Sequence, residues 1–277
     1  MAPRSLLARY RWDAHRFGVT PGKLLRRLRN PGAPRVICVS IPKAGTHLLE
    51  RAICLHPAMY RKILPTLSQT NIDRYGGLER ILARLRPGQV VVSHLRHDPG
   101  AARMVHDLGV HGIFLSRDPR DVVMSQVHYV TRDPKHRFHS LFAARSDLKE
   151  KVRLAITGDP EHSMPSIAER LDYFGGWLNS GFLVVRFEEL IGRSGGGTAA
   201  TQRDVVGSIF GYLGLPEDPV TIGTVSARLF SSASPTFRKG SIGGWRSVFD
   251  DELVALFRET VGDRADRYGY TELEDDA

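Results

Sequence analysis

The segment Arg35-Val-Ile-Cys-Val-Ser-Ile-Pro-Lys-Ala-Gly-Thr-His47 decides the fold that we predict for this chain. Residues 35–40 form a short β-branched run, which is typical of a buried strand. Residues 47–54 have the pattern of a helix, and a glycine-containing loop joins the two. Backbone N–H groups at a helix N-terminus after such a loop bind phosphate. The segment therefore predicts an anion site in an α/β protein, with an ordinary glycine-containing turn as the alternative.

The side chains of this loop suit an anion. Lys43 adds a point charge and Thr46 a hydroxyl donor. The predicted contact set is completed by Ala44, Gly45 and His47. The nucleotide-hydrolase pattern G-x-x-x-x-G-K-[ST] places lysine directly after the last glycine. Because Lys43 precedes Gly45 here, that pattern is not matched.

Further strands and helices alternate along the chain. We predict strands at residues 90–93, 112–116 and 182–187, and helices at 119–130, 171–178, 205–213 and 253–261. Asp118 has the features of an N-cap, because Pro119 follows at the first helical position. Alternation of this kind predicts a single α/β domain with a mostly parallel central sheet flanked by helices. Ligands of such sheets bind at the carboxyl ends of the strands.

The charge and composition divide the chain into three parts. We predict a basic N-terminal arm at residues 1–34, a domain at 35–265 with a polar, lid-like insertion at 131–165, and an acidic tail at 266–277. Residues 1–35 hold nine Lys/Arg and one acidic residue, whereas the rest of the chain holds 30 and 29. The arm is either a solvated leader or a segment that touches anionic lipid or a polyanion. Without a long apolar run or a secretory signal, the sequence predicts a cytoplasmic protein, peripheral to the membrane if the arm binds lipid.

Two further segments carry cations suited to a phosphate. In residues 115–125 (Leu-Ser-Arg-Asp-Pro-Arg-Asp-Val-Val-Met-Ser), Arg117 ends a strand and Ser125 lies two turns into the following helix. Together they suit a second phosphate, with the arginine as a bidentate fork. The alternative is a surface arginine paired with Asp118 or Asp121.

The third segment is residues 237–246 (Phe-Arg-Lys-Gly-Ser-Ile-Gly-Gly-Trp-Arg). Adjacent cations, Arg238 and Lys239, precede Gly240 in a glycine-rich loop. This arrangement suits a phosphate, and the alternative is a solvated loop.

Taken in this order, the segments resemble those of the sulfotransferases that use 3′-phosphoadenosine 5′-phosphosulfate (PAPS). Residues 42–46 resemble the family's 5′-phosphosulfate loop, residues 117–125 its 3′-phosphate segment and residues 238–245 its late R-K-G-x-x-G-x-W motif. Residues 210–216 also resemble a helix ending of the family, so the resemblance spans about residues 35–250. It implies PAPS as cofactor, 3′-phosphoadenosine 5′-phosphate (PAP) as product, and a hydroxyl-bearing acceptor of unknown class.

The resemblance also implies a catalytic histidine. His94 ends the second predicted strand at the position where the family has its histidine, and His97 is the nearest rival. Histidine titrates near pH 6.5, so a neutral imidazole is available as general base at pH 7. The implied mechanism is in-line displacement at sulfur, in which His94 removes the acceptor proton. Lys43 and loop amides then stabilise the developing charge.

The chain departs from the family pattern at three places. Val92 stands where many members have lysine, so charge stabilisation rests more on Lys43. His47-Leu48 replaces an aromatic residue, which leaves the residue that stacks on adenine unassigned, with Phe230 as one candidate. Phe187 replaces a tyrosine that is common at the end of the fourth strand.

Two other functions stay open. One is a P-loop kinase, which the order of Lys43 and Gly45 disfavours. The other is a basic module that binds nucleic acid or a membrane surface. We expect no metal, because no carboxylate pair is placed like a magnesium site, and we expect no specific nucleic-acid partner.

Overall fold

The computed structural model describes residues 31–230 and 240–270. The strands are β1 (Val36–Ser40), β2 (Tyr60–Arg61), β3 (Gln89–Ser93), β4 (His111–Ser116) and β5 (Leu183–Arg186). The helices are α1 (Thr46–Leu55), α2 (Gly77–Ala83), α3 (Pro99–Asp107), α4 (Pro119–Arg132), α5 (His139–Ala143), α6 (Leu148–Thr157), α7 (Ile167–Gly175), α8 (Phe187–Leu190), α9 (Ala199–Tyr212), α10 (Pro219–Leu229), α11 (Asp251–Val261) and α12 (Arg264–Arg267). Short 3₁₀ helices cover Ile72–Tyr75, Pro160–His162, Gly176–Asn179, Arg193–Gly195 and Gly244–Ser247.

The five strands form one parallel sheet in the order β2-β3-β1-β4-β5. Val36 lies opposite Val90 of β3 on one side and opposite His111 of β4 on the other. The chain therefore passes from β1 to β2 and β3 on one side of it and then crosses to β4 on the other side. Ligands of such sheets bind at the carboxyl ends of the strands where the order reverses in this way. The fold class predicted from the sequence is confirmed, and the loop after β1 lies at that position.

Apolar residues of β1 alternate between two cores. Ile37 and Val39 belong to the cluster that includes the apolar residues of α4, α6, α7 and α11. Val36 and Cys38 belong to the cluster that includes those of α1, α9 and α10. A buried strand that is apolar on both faces requires helices on both sides of the sheet, as the alternating pattern predicts.

The predicted element positions are largely confirmed. Each predicted strand and helix has a counterpart within a few residues, and the Asp118 side chain caps α4 by accepting a hydrogen bond from the Arg120 N–H. Residue 187 is the exception, because Phe187 begins α8 instead of ending β5. Within the described residues, no helix is long and apolar enough to cross a membrane.

The segment predicted as a polar, lid-like insertion, residues 131–165, is a helical part of the domain. It contains α5 and α6, and α6 packs against α4, α7 and α11. Phe142, Val152 and Ile156 are fully buried. Although the segment is polar in composition, its few apolar residues anchor it in the core because they lie on the buried faces of its helices. The proposed function of this segment as a lid stays a prediction.

The packed domain is larger than residues 35–265. Ala33 is buried, and its carbonyl accepts a hydrogen bond from the Gly88 N–H. At the other end, Tyr268 is buried and donates a hydrogen bond from its hydroxyl to the Leu171 carbonyl. Residues 1–30 of the predicted arm and 271–277 of the predicted tail lie outside the described residues.

Candidate functional site

The loop between β1 and α1 has a backbone shape that depends on Gly45. Lys43 and Gly45 both have positive φ, 78° and 107°. A Cβ atom at Gly45 would lie 2.5 Å from Cδ2 of Phe187, so any larger residue would have to displace that ring. α1 begins directly after this glycine and has no side-chain cap on its N-terminus. A helix N-terminus without a side-chain cap can bind an anion, which is consistent with the predicted site.

Gly45→Ala tests this shape. We expect affinity for PAP to fall by roughly tenfold, because alanine adds both a strained φ and a clash with Phe187. Calorimetric titration of the folded variant measures the loss. Gly214→Ala is the matched control, since Gly214 also has positive φ but a Cβ there meets nothing within 4 Å. Unchanged PAP affinity in Gly45→Ala would show that the loop does not bind the nucleotide.

Lys43 is a cation without a carboxylate partner among the described residues. Its Nζ lies 3.5 Å from the centroid of the Tyr129 ring on α4. Burial, together with the charges of Arg170 and Arg117, lowers the pKa of Lys43 to about 8. The ammonium is therefore desolvated and close to other cations, and an anionic ligand would relieve both costs.

His94 lies beside this loop, at the end of β3. Its Nδ1 is 2.9 Å from the Ser40 carbonyl oxygen, so Nδ1–H donates there and the lone pair lies on Nε2. The Ser40 hydroxyl oxygen is 2.6 Å from that of Thr46 and 3.3 Å from His94 Nδ1. Ser40 thus connects His94 to Thr46 at the start of α1, and its carbonyl fixes the tautomer of the His94 ring.

The electrostatic setting of His94 differs from the expectation. Burial lowers the pKa of His94 to about 4, and the charges of His47, Arg170 and Lys43 act in the same direction against the Ser40 hydrogen bond. This pKa is lower than the ordinary value of 6.5 used in the expectation. The imidazole is neutral at pH 7 in either case, so the lone pair on Nε2 is available to accept a proton.

His97, the rival candidate, has a packing role. Its ring lies edge-on to Trp177 at 5.1 Å between centroids, and it fills the space above Gly176. Its backbone N–H donates to the Tyr173 carbonyl. These contacts hold the chain after β3 against the end of α7.

Arg117 is buried, with 8 % of its surface exposed. Its guanidinium stacks on the Phe187 ring at 4.1 Å and donates to the carbonyls of Lys43 and Ser241. Asp121 is 3.7 Å away, whereas Asp118 pairs with Arg120. Arg117 is therefore not the surface arginine of the alternative, although it does pair with Asp121. Among the described residues, the buried Nε–H of Arg117 has no acceptor, which fits a site for an anionic ligand.

The third predicted segment meets Arg117. Ser241 accepts one of its hydrogen bonds, and Asp121 accepts hydrogen bonds from the N–H groups of Gly243 and Trp245. Gly240 is within this loop, while Arg238 and Lys239 lie outside the described residues. Ser125 is half-buried on α4. The structure therefore brings the loop after β1, the end of β4 and residues 240–245 to one edge of the sheet.

The positions that depart from the family pattern have other roles. Val92 is buried in the core beneath the sheet. Phe187 fits under Gly45 and stacks on Arg117. His47 pairs through Nδ1 with Glu50 at 3.1 Å. Phe230 directly follows the last residue of α10, and its stacking on adenine stays a prediction.

Arg170 of α7 was not predicted as a site residue, although it is buried beside the loop with 6 % of its surface exposed. It donates to the Pro42 carbonyl at 2.7 Å and to Gln126 Oε1 of α4. A signal for it exists in the sequence. Arg170 lies on the helix face that carries Ile167, Leu171 and Phe174, where a structural helix would have an apolar residue.

Comparisons with known proteins extend the structural description. No protein-family model and no curated protein sequence matches the chain. Mouse sulfotransferase SULT7A1 complexed with PAP is similar in structure, with a TM-score of 0.60, 18 % identity, and coverage of 91 % of this chain and 94 % of that chain. Retinol dehydratase in complex with androsterone and PAP is similar with a TM-score of 0.57 and 16 % identity, and the match covers 88 % of this chain and 85 % of that chain. Retinol dehydratase in complex with retinol and PAP is similar with a TM-score of 0.55 and 15 % identity, and the match covers 88 % of this chain and 86 % of that chain. At the level of the fold, the resemblance is confirmed: this chain has the fold of the sulfotransferases.

Proposed function

We propose that this protein transfers the sulfuryl group of PAPS to an acceptor hydroxyl. The observation that carries the proposal is the fixed tautomer of His94 beside the Lys43 loop. It places a neutral base and a cation without a carboxylate partner at the edge of the sheet where ligands of this fold class bind. A sulfotransferase needs these two functions, a proton acceptor for the hydroxyl and a cationic site for the anionic donor.

In the proposed reaction, His94 accepts a proton and Lys43 stabilises negative charge. PAPS supplies the sulfuryl group: a bond forms from the acceptor oxygen to sulfur as the bond from sulfur to the 5′-phosphate oxygen breaks, and PAP leaves with the electron pair. His94 Nε2 accepts the proton of the hydroxyl and later releases it to solvent. The Lys43 ammonium and the first N–H groups of α1 stabilise negative charge at the leaving oxygen. The binding of an anion beside His94 raises its pKa from the ligand-free value, which makes it a stronger base during the reaction.

The second phosphate of the nucleotide is assigned to Arg117. In this proposal the buried guanidinium of Arg117 and the hydroxyl of Ser125 bind the 3′-phosphate, and Gly240, Arg238 and Lys239 are its further proposed contacts. The basic arm keeps its proposed contact with an anionic membrane or polyanion. The mechanism uses no metal.

Labelled transfer tests the proposal. The protein is incubated with [³⁵S]PAPS and pooled hydroxyl compounds (phenols, sugars, sterols and lipid headgroups), and in parallel with [γ-³²P]ATP and magnesium. We expect ³⁵S in an acceptor and no ³²P transfer. Transfer of ³²P alone would favour the kinase alternative and contradict the proposal.

The lowered pKa of Lys43 predicts a loss of nucleotide affinity at alkaline pH. Lysine binds the anion only when protonated, and its pKa of about 8 means that the ligand-free protein loses this charge above pH 8. Affinity for PAP should therefore be constant near pH 7 and about tenfold weaker at pH 9. Calorimetry between pH 7 and pH 9.5 measures this, since the ligand's phosphates hold a constant charge there. Lys43→Met should bind more weakly at every pH and lack the step, and an equal decline in both proteins would contradict the assignment.

A further inference from the structure

Arg170 is a buried cation without a carboxylate partner. Among the described residues, its guanidinium makes two hydrogen bonds, to the Pro42 carbonyl and to Gln126 Oε1, and no ion pair. These bonds use fewer than half of the donors of a guanidinium. A charge buried in this way is costly unless a counter-ion binds to it. Burial alone lowers the pKa of Arg170 to about 10, so it stays charged at pH 7.

Arg170 contacts the loop between β1 and α1 at Pro42. Pro42, whose carbonyl it contacts, directly precedes Lys43. In addition to burial, the charge of Arg170 lowers the pKa of both Lys43 and His94, whereas Arg117, which donates to the Ser241 carbonyl, lowers the pKa of Lys43 and is not among the charges that act on His94. Of the two arginines, Arg170 is therefore the one that acts on both Lys43 and the proposed proton acceptor.

We propose that Arg170 binds the sulfuryl oxygens of the donor and is, with Lys43, the second cation at the reacting group. This inference rests on the proposed function and extends it to a residue of α7. The guanidinium is held in place from two sides, by Gln126 and by the loop carbonyl. It needs little reorganisation when the anion binds, and preorganised cations of this kind stabilise charge most effectively.

The alternative is that Arg170 only supports the loop through Pro42. The two functions differ in their effect on PAPS and PAP, because PAP keeps the 5′-phosphate and lacks the sulfuryl group. Loss of loop support weakens both ligands equally. Loss of a sulfuryl contact weakens PAPS alone, by roughly 10- to 100-fold for a charged hydrogen bond.

Calorimetric titration of PAPS and PAP into wild type and Arg170→Gln is the test. We expect PAPS affinity to fall 10- to 100-fold and PAP affinity by no more than about threefold. Arg264→Gln is the matched control. Arg264 of α12 is a partly exposed arginine that pairs with Asp172 of α7, the helix that carries Arg170. This substitution should leave both affinities unchanged. Equal losses of PAPS and PAP, or no loss, in Arg170→Gln would overturn the proposal.

A second variant and a second ligand extend the test, and the ligand distinguishes a failure of this inference from a failure of the proposed function. If Arg170→Gln does not fold, Gln126→Leu releases the guanidinium from one support and should weaken PAPS more than PAP. Equal effects there would also overturn the proposal. Inorganic pyrophosphate serves as a probe without the nucleotide and should raise the melting temperature of wild type more than that of Arg170→Gln. If pyrophosphate does so while PAPS does not bind, the anion site stands and the sulfotransferase proposal fails.

Discussion

Replacing His94 by alanine should lower kcat by roughly 10²–10⁴-fold, the usual effect of losing a general base. The Ser40 carbonyl holds Nδ1–H, so Nε2 is the only nitrogen of this ring that can accept the acceptor proton. Affinity for PAPS should change little, because the proposed nucleotide contacts come from Lys43, Arg117 and the start of α1. Steady-state rates with an identified acceptor, combined with calorimetry for PAPS, measure the two effects separately.

His97→Ala is the control for this prediction. His97 packs on Trp177 and Gly176, so its loss should lower the melting temperature with little change in kcat of the folded protein. Added imidazole should restore part of the activity of His94→Ala and none of any defect in His97→Ala. Near-normal kcat in His94→Ala would exclude the proposed base, and a large kcat defect in His97→Ala would transfer the function to that residue.

Arg117→Ala should weaken PAP binding by about two orders of magnitude. A bidentate, charged contact in a buried site contributes a few kcal/mol, and the unpaired Nε–H of Arg117 is consistent with such a contact. AMP lacks the 3′-phosphate, so its affinity should fall far less. Calorimetry with both ligands measures the difference.

The ratio of the two affinities decides what Arg117 does. Its guanidinium also donates to the carbonyls of Lys43 and Ser241, so a loss of loop support would weaken AMP and PAP together. Ser125→Ala is the matched variant on the same proposed phosphate, and a smaller, PAP-specific loss is expected there. Unchanged PAP affinity in Arg117→Ala would remove the 3′-phosphate assignment.

The parts of the fold that depend on local sequence were predictable. The β1 loop and the Asp118-Pro119 start of α4 are local patterns, and both lie where they were expected. The same Asp-Pro signal begins α3 at Asp98 and α10 at Asp218, two helices that the sequence analysis did not identify although the signal is present.

The rest depends on tertiary contacts that a single sequence does not show. Arg170 reaches Pro42 across 128 positions of the chain, and only the packing of α7 beside the loop makes that contact. The lowered pKa of His94 likewise results from burial and from charges on separate elements. Residues 131–165 are polar in composition, and their few apolar side chains become a core only when α6 packs on α4 and α11.

Calorimetric comparison of PAP and AMP binding to the wild-type protein tests the central claim most directly, because it needs no acceptor. A sulfotransferase site has cations for a phosphate at both ends of the nucleotide, and we propose Lys43 for one end and Arg117 for the other. We predict that PAP binds about 100-fold more tightly than AMP and raises the melting temperature correspondingly more. Equal affinities, or binding of neither ligand, would contradict the account.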